Sequence, residues 1–212
     1  MTISQKAVNS IIFFEVGSPA NYNKLYNKPK VEIGDSGITI GIGYDLGYNS
    51  KEQIQADWGD VLSADSVTLL KSVSGLKGLH AQHSYNLVKN VVVPYDAAMK
   101  VFIERSLKRF SIITISAYPG VDKLLPDASG ALLSLVYNRG ANTDPSNDRR
   151  IEMHNIKDLV IKKDYNGIAD QLSAMKRLWG DNAKGLKIRR DMEADLVRHA
   201  IREYKQEELI NI

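Results

Sequence analysis

The chain has 212 residues, 43% of them hydrophobic and 25% charged, a balance ordinary for a folded protein with a sizeable core and contrary to disorder. A net charge of +3 is too small to single out an anionic partner, and the absence of cysteine excludes disulfides and thiolate metal sites. The densest apolar runs, 11–14 and 91–93, are far too short to span a bilayer, so no stable membrane insertion is expected. Residues 1–6 lack the pattern of a secretory signal, so synthesis in the cytoplasm is expected, with delivery or release if the target lies outside.

No repeat, low-complexity tract or long linker divides the sequence. A first helix is predicted over 4–15, with Val8, Ile11 and Ile12 on one face and Gly17 placed to end it. A polar, tyrosine-bearing stretch follows over 21–30. Residues 31–33, a turn at Gly34-Asp35-Ser36-Gly37 and residues 38–44 then read as a β-hairpin. Ser50 and Gln53 form a capping pattern that opens a short helix ending near Trp58-Gly59. Residues 60–92 have a weak apolar pattern, interrupted by Gly75 and Gly78. Pro94 opens a long helix with Ala98, Val101 and Phe102 on its apolar stripe. Residues 127–137 form a strongly apolar helix stopped by Gly140, and a last helix over 186–204 carries Ile188, Met192, Leu196 and Ala200 at four-residue spacing. The fold class is therefore α+β, mainly α, with one small sheet.

Residues 37–45 carry the most information. Period-2 alternation puts Ile38, Ile40, Ile42 and Tyr44 on one face and Thr39, Gly41, Gly43 and Asp45 on the other. Two glycines between a hydroxyl and a carboxylate leave an open, polar face, suited to a groove wall along which a bulky substrate lies. The same pattern also fits a glycine-rich edge strand whose Thr39 and Asp45 face water. Glu15 stands four residues after Ile11, in line with the apolar stripe of the first helix. A carboxyl in such a place is partly desolvated, which favours the protonated form that a general acid needs. A frayed helix end bonding a local backbone N–H is the plainer alternative.

The segments Phe14-Glu15-Val16-Gly17, residues 37–47 and residues 131–140 (ALLSLVYNRG) resemble phage-type lysozymes, and residues 185–193 (GLKIRRDME) add a fourth match. The closest branch is the pesticin-type lysozyme-like domain of bacteriocins and some type VI secretion effectors. The resemblance implies a single catalytic domain over 1–212 with a lysozyme-like two-lobed fold. A small β-containing lobe is expected over about 18–90, and a helical lobe over about 91–212 plus the first helix, with a cleft between. It implies hydrolysis of the β-1,4 bond between N-acetylmuramic acid and N-acetylglucosamine in peptidoglycan glycan strands.

In that pattern Glu15 matches the catalytic acid, and Thr39 and Asp45 match the residues that hold and activate the attacking water. Asp35, four residues before Thr39, is a rival base. Water attack opposite the leaving group inverts the anomeric centre and needs carboxyls roughly 6.5–9.5 Å apart. Tyr137 and Asn138 match a helix end that faces the cleft and binds sugar in the family, although helix-end packing explains them equally well. Gly41, Gly43 and Tyr26 are further substrate-binding candidates, Tyr22 and Tyr26 as stacking platforms or ordinary packing residues. Arg189 or Arg190 is expected to orient Glu15, or else both are surface cations near Glu193 and Asp195. His80 and His83 have no companions that complete a metal site, and no cofactor, metal or nucleic-acid partner is expected.

Two other functions compete with hydrolysis. A lytic transglycosylase uses one acid and no water-activating carboxylate, and a catalytically idle wall-binding module would use neither. The setting implied by the resemblance is an antibacterial toxin or effector, or a phage endolysin, acting as a monomer. A toxin-producing cell then needs a cognate immunity protein.

Overall fold

The computed structural model describes residues 1–31 and 34–212. Glu32 and Ile33, which fall in the expected first hairpin strand, lie outside the described residues. The protein is α+β and mainly helical, with small antiparallel sheets. It divides into two compact units, one of Glu15–Leu107 and one of Met1–Phe14 with Lys108–Ile212.

β1 (Thr2–Ser4) leads into α1 (Gln5–Val16), where Val8, Ile11 and Ile12 are buried on the face that their spacing predicts. Ser18 then caps α2 (Pro19–Leu25), its hydroxyl accepting from Asn21 N at 3.2 Å, with Pro19 opening the helix. This helix covers the start of the polar, tyrosine-bearing stretch. β2 (Lys30–Val31) pairs with β3 (Ile38–Ile40) at Lys30↔Thr39 and Val31↔Ile38.

The expected continuous strand over 38–44 does not form. The chain reverses at Gly41-Ile42-Gly43 and returns as β4 (Tyr44–Asp45), pairing Thr39↔Asp45 and Ile40↔Tyr44. Gly41 and Gly43 sit at φ +59° and +66°, left-handed conformations that glycine adopts without a steric penalty. The sheet therefore runs β2-β3-β4.

α3 (Lys51–Trp58) begins where the capping pattern predicts, with Ser50 Oγ accepting from Gln53 N at 3.2 Å. The weakly patterned stretch after it holds α4 (Ala64–Ser72) and α5 (Gly78–Ser84). α6 (Tyr95–Val101) passes through a π-helical turn at Phe102–Ser106 into α7 (Leu107–Ala117). α8 (Pro126–Arg139), α9 (Ile151–Lys162), α10 (Tyr165–Ala174) and α11 (Lys184–Arg198) follow, then β5 (Leu209–Asn211). α11 ends at Arg198 rather than near residue 204, where His199 N bonds back to Asp195 O.

In the unit of Met1–Phe14 and Lys108–Ile212, α8 is the central helix. Residues 127–136 are buried without a break, so its apolar character extends all round. Met153, Ile156, Ile168, Leu172, Ala194 and Val197 complete its core. β1 and β5 pair the two chain ends at Ile3↔Ile210, and Asp127, 1% exposed, accepts from Arg202 Nε at 2.8 Å.

In the unit of Glu15–Leu107, Ile38, Ile40, Ile42 and Tyr44 are buried, as are Ile54, Trp58, Val67 and Leu70. Tyr44 donates to Asp57 Oδ2 at 2.7 Å and meets the Trp58 ring edge-on, at 5.3 Å between centroids. The turn rests on Trp58 so closely that a Cβ on Gly41 would stand 2.9 Å from the indole.

Candidate active site

Strand pairing sets Lys30, Thr39 and Asp45 in one row across the sheet, because Lys30↔Thr39 and Thr39↔Asp45 are directly opposed. Opposed residues project from the same face, with Cβ atoms about 4.5–5.5 Å apart. The isoleucines and Tyr44 go to the buried side and Thr39 and Asp45 are half-buried, so the two-faced pattern holds although one strand became two.

Glu15, half-buried in the last turn of α1, lines a recess of about 80 Å³. Tyr26, Lys28, Lys30, Thr39, Ile40, Gly41 and Gly43 line it as well. The structure thus brings together five of the candidates drawn from the sequence: Glu15, Tyr26, Thr39, Gly41 and Gly43. The two glycines contribute as the turn between β3 and β4 rather than as positions along a strand. Tyr22 does not join them. It is fully buried, donates to Val93 O at 2.9 Å and packs edge-on against Tyr95, and burial pushes its phenol pKa well above the ordinary value.

Asp45 is beside the recess but not in its lining. Its carboxylate is turned to the backbone, Oδ1 accepting from Gly47 N at 2.8 Å and Oδ2 from Gly37 N at 3.1 Å. The first of these bonds caps the 3₁₀ turn Leu46–Tyr48. Gly37 has no room for a side chain, since a Cβ there would overlap Asp45 Oδ1 and stand 2.5 Å from Gly47 N. A carboxylate has about four lone-pair sites, so two N–H bonds fix its orientation and still leave capacity to accept from a water. Asp35, the rival, is exposed.

No known family model and no curated protein sequence matches this chain. What the recess can do follows from its residues. Glu15, Thr39 and the glycine turn share it with Tyr26 and two lysines. Its volume is well below the roughly 300–1,000 Å³ of sites that enclose a small molecule. The recess therefore suits one part of a larger substrate lying across it. Lys28 and Lys30 were absent from the sequence candidates, since nothing local marks them out from other surface lysines.

The remaining candidates belong to the other unit. Tyr137 packs on Phe110 with ring centroids 4.4 Å apart, and Asn138 Oδ1 accepts from Arg190 Nη2 at 3.3 Å. Arg189 and Arg190 are not surface cations, being 3% and 0% exposed. They converge on Glu193, itself fully buried, whose Oε1 accepts from Arg190 Nη2 at 2.8 Å, Arg189 Nε at 3.3 Å and Ser134 Oγ at 2.7 Å. Arg189 also stacks on Phe14, 5.4 Å from the ring centroid. Glu193 as a buried hub was missed in the sequence, although its spacing of three and four residues from the arginines was visible. His80 and His83 are exposed, and no cluster able to hold a metal occurs among the described residues.

Proposed function

We propose that the chain is a peptidoglycan muramidase that hydrolyses the β-1,4 bond between N-acetylmuramic acid and N-acetylglucosamine. The observation that carries this reading is the convergence of Glu15 with Tyr26, Thr39, Gly41 and Gly43 on one small open recess. Glu15 gives its proton to the glycosidic oxygen as that bond breaks. Thr39 and Asp45, adjacent across β3 and β4, hold the water, and Asp45 takes its proton as the oxygen attacks the anomeric carbon. Attack from the face opposite the leaving group inverts that carbon. In this reading the two compact units are the β-containing and helical lobes of a lysozyme-like fold. The enzyme then works on the wall of a target or host bacterium, as a delivered toxin with a cognate immunity protein or as a phage endolysin.

One observation favours a second reading, a lytic transglycosylase. Both oxygens of Asp45 hold backbone N–H groups and the residue is outside the recess lining, as befits a structural carboxylate in a one-acid enzyme. The products decide. Purified peptidoglycan digested by the wild-type chain and by Glu15→Gln is analysed by mass spectrometry. Reducing muramic ends, lost by about 100-fold or more in Glu15→Gln, are expected for the muramidase. Anhydro ends would move the chain to the transglycosylases, and no cleavage by folded wild type would end both readings.

A further inference from the structure

Two lysines at the recess have no part in the proton transfers above. Lys28 and Lys30 both line it, and the segment that carries them is anchored at two backbone points. Val93 N donates to Asn27 O at 2.9 Å, and Tyr85 Oη donates to Pro29 O at 3.2 Å. Lys28 and Lys30 are exposed on either side of buried Pro29. Lys30 is held further by Tyr26, its Nζ 4.5 Å from the ring centroid. Among the described residues neither lysine has an ion-pair partner, and Glu15 is the one acidic residue among those that line the recess. Two lysines on anchored backbone against one glutamate give the recess lining an excess of positive charge, which favours an anionic group.

We propose that Lys28 and Lys30 form an anion-recognising rim that selects glycan strands carrying a carboxylate near the cleaved bond over neutral polymers of the same sugar backbone. In peptidoglycan such carboxylates belong to the peptide carried by the lactyl group of muramic acid, and chitin has none. The inference rests on the glycan-cleaving reading of the Glu15 recess. Each exposed lysine–carboxylate pair changes affinity by about 1.5- to 5-fold, and added salt screens the effect.

The test is calorimetric titration of the wild type and of the Lys28→Gln, Lys30→Gln double variant. Three probes are used: a disaccharide-peptide fragment of peptidoglycan with free carboxylates, the same fragment fully amidated, and chitotetraose. The wild type is expected to bind the free acid at least about 3-fold more tightly than the amide. That preference should vanish in the double variant and shrink in high salt, with affinity for the amide nearly unchanged. Equal affinity of the wild type for acid and amide, a preference that survives in the double variant, or binding of none of the three probes overturns the proposal. The two readings fail separately. A carboxylate preference without strand cleavage removes the muramidase and leaves the rim, whereas cleavage without the preference does the reverse.

Discussion

Replacing Asp45 with Asn removes a negative charge and turns one acceptor oxygen into an NH₂ donor. In the native sheet those oxygens receive Gly47 N at 2.8 Å and Gly37 N at 3.1 Å. Asn keeps one acceptor and sets its amide nitrogen against the other backbone donor. One charge-assisted bond is lost and the cap of the following 3₁₀ turn is weakened, together costing about 1–3 kcal/mol. For a chain of this length each kcal/mol lowers Tm by roughly 2–4 °C, so a fall of about 2–12 °C is expected. A loss of that size still leaves an ordinary domain folded at 25 °C, so it does not remove activity by itself. If Asp45 is the proposed base, its loss lowers turnover by about 10²–10⁴-fold.

Thermal melts and peptidoglycan digestion at 25 °C, run on the same samples, separate the two effects. Gly37→Ala is the companion variant, because its Cβ would displace the Asp45 carboxylate and the Gly47 backbone together without removing the charge, so its melt is read beside its turnover. It too should lose at least about 10-fold in turnover if the position of that carboxylate matters. Asp45→Asn with near-wild-type turnover and a lowered Tm would refute Asp45 as the base and leave it as a backbone cap.

Glu193→Gln should destabilise the protein by about 3–5 kcal/mol in urea unfolding, because it takes the paired carboxylate from fully buried Arg190; a loss below about 1 kcal/mol would show that the cluster is not held by charge. Gly41→Ala combines a left-handed φ of +59° with a Cβ 2.9 Å from Trp58, for an expected cost of about 2–4 kcal/mol in the same assay, and an unchanged midpoint would rule out the tight turn. Alkaline pH should unfold the protein through its buried tyrosines. Burial raises the phenol pKa of Tyr204 to about 12 and those of Tyr22 and Tyr118 further, so their contribution to stability is complete below pH 10 and is lost as pH rises through the folded values. Absorbance at 295 nm should show some of the ten tyrosines ionising only on unfolding, and a single titration of all ten near pH 10 with the fold intact would contradict that.

Local chemistry was legible wherever a few neighbouring residues decide the outcome. Ser50 caps α3, Gly140 follows α8, and the apolar face of α1 is the one that the spacing of Val8, Ile11 and Ile12 implies. The reversal at 41–43 was not legible from periodicity, because Ile42 is buried in the hairpin as it would be in a straight strand. α2 carried its signature in Ser18-Pro19, but Tyr22 is its one buried residue, too few to set up a helical period. The burial of Arg189 and Arg190 ran against the default for charged residues, which are seldom fully buried unless paired.

By itself the sequence determined a cysteine-free, mainly helical chain, the two-faced chemistry of residues 37–45 and Glu15 at a helix end as the candidate acid. Only tertiary structure decided which of these meet. The row Lys30–Thr39–Asp45 exists because Ile38, Ile40 and Tyr44 must bury against residues such as Trp58, which selects one strand register. That choice depends on contacts between segments far apart in the chain, and no local propensity encodes it.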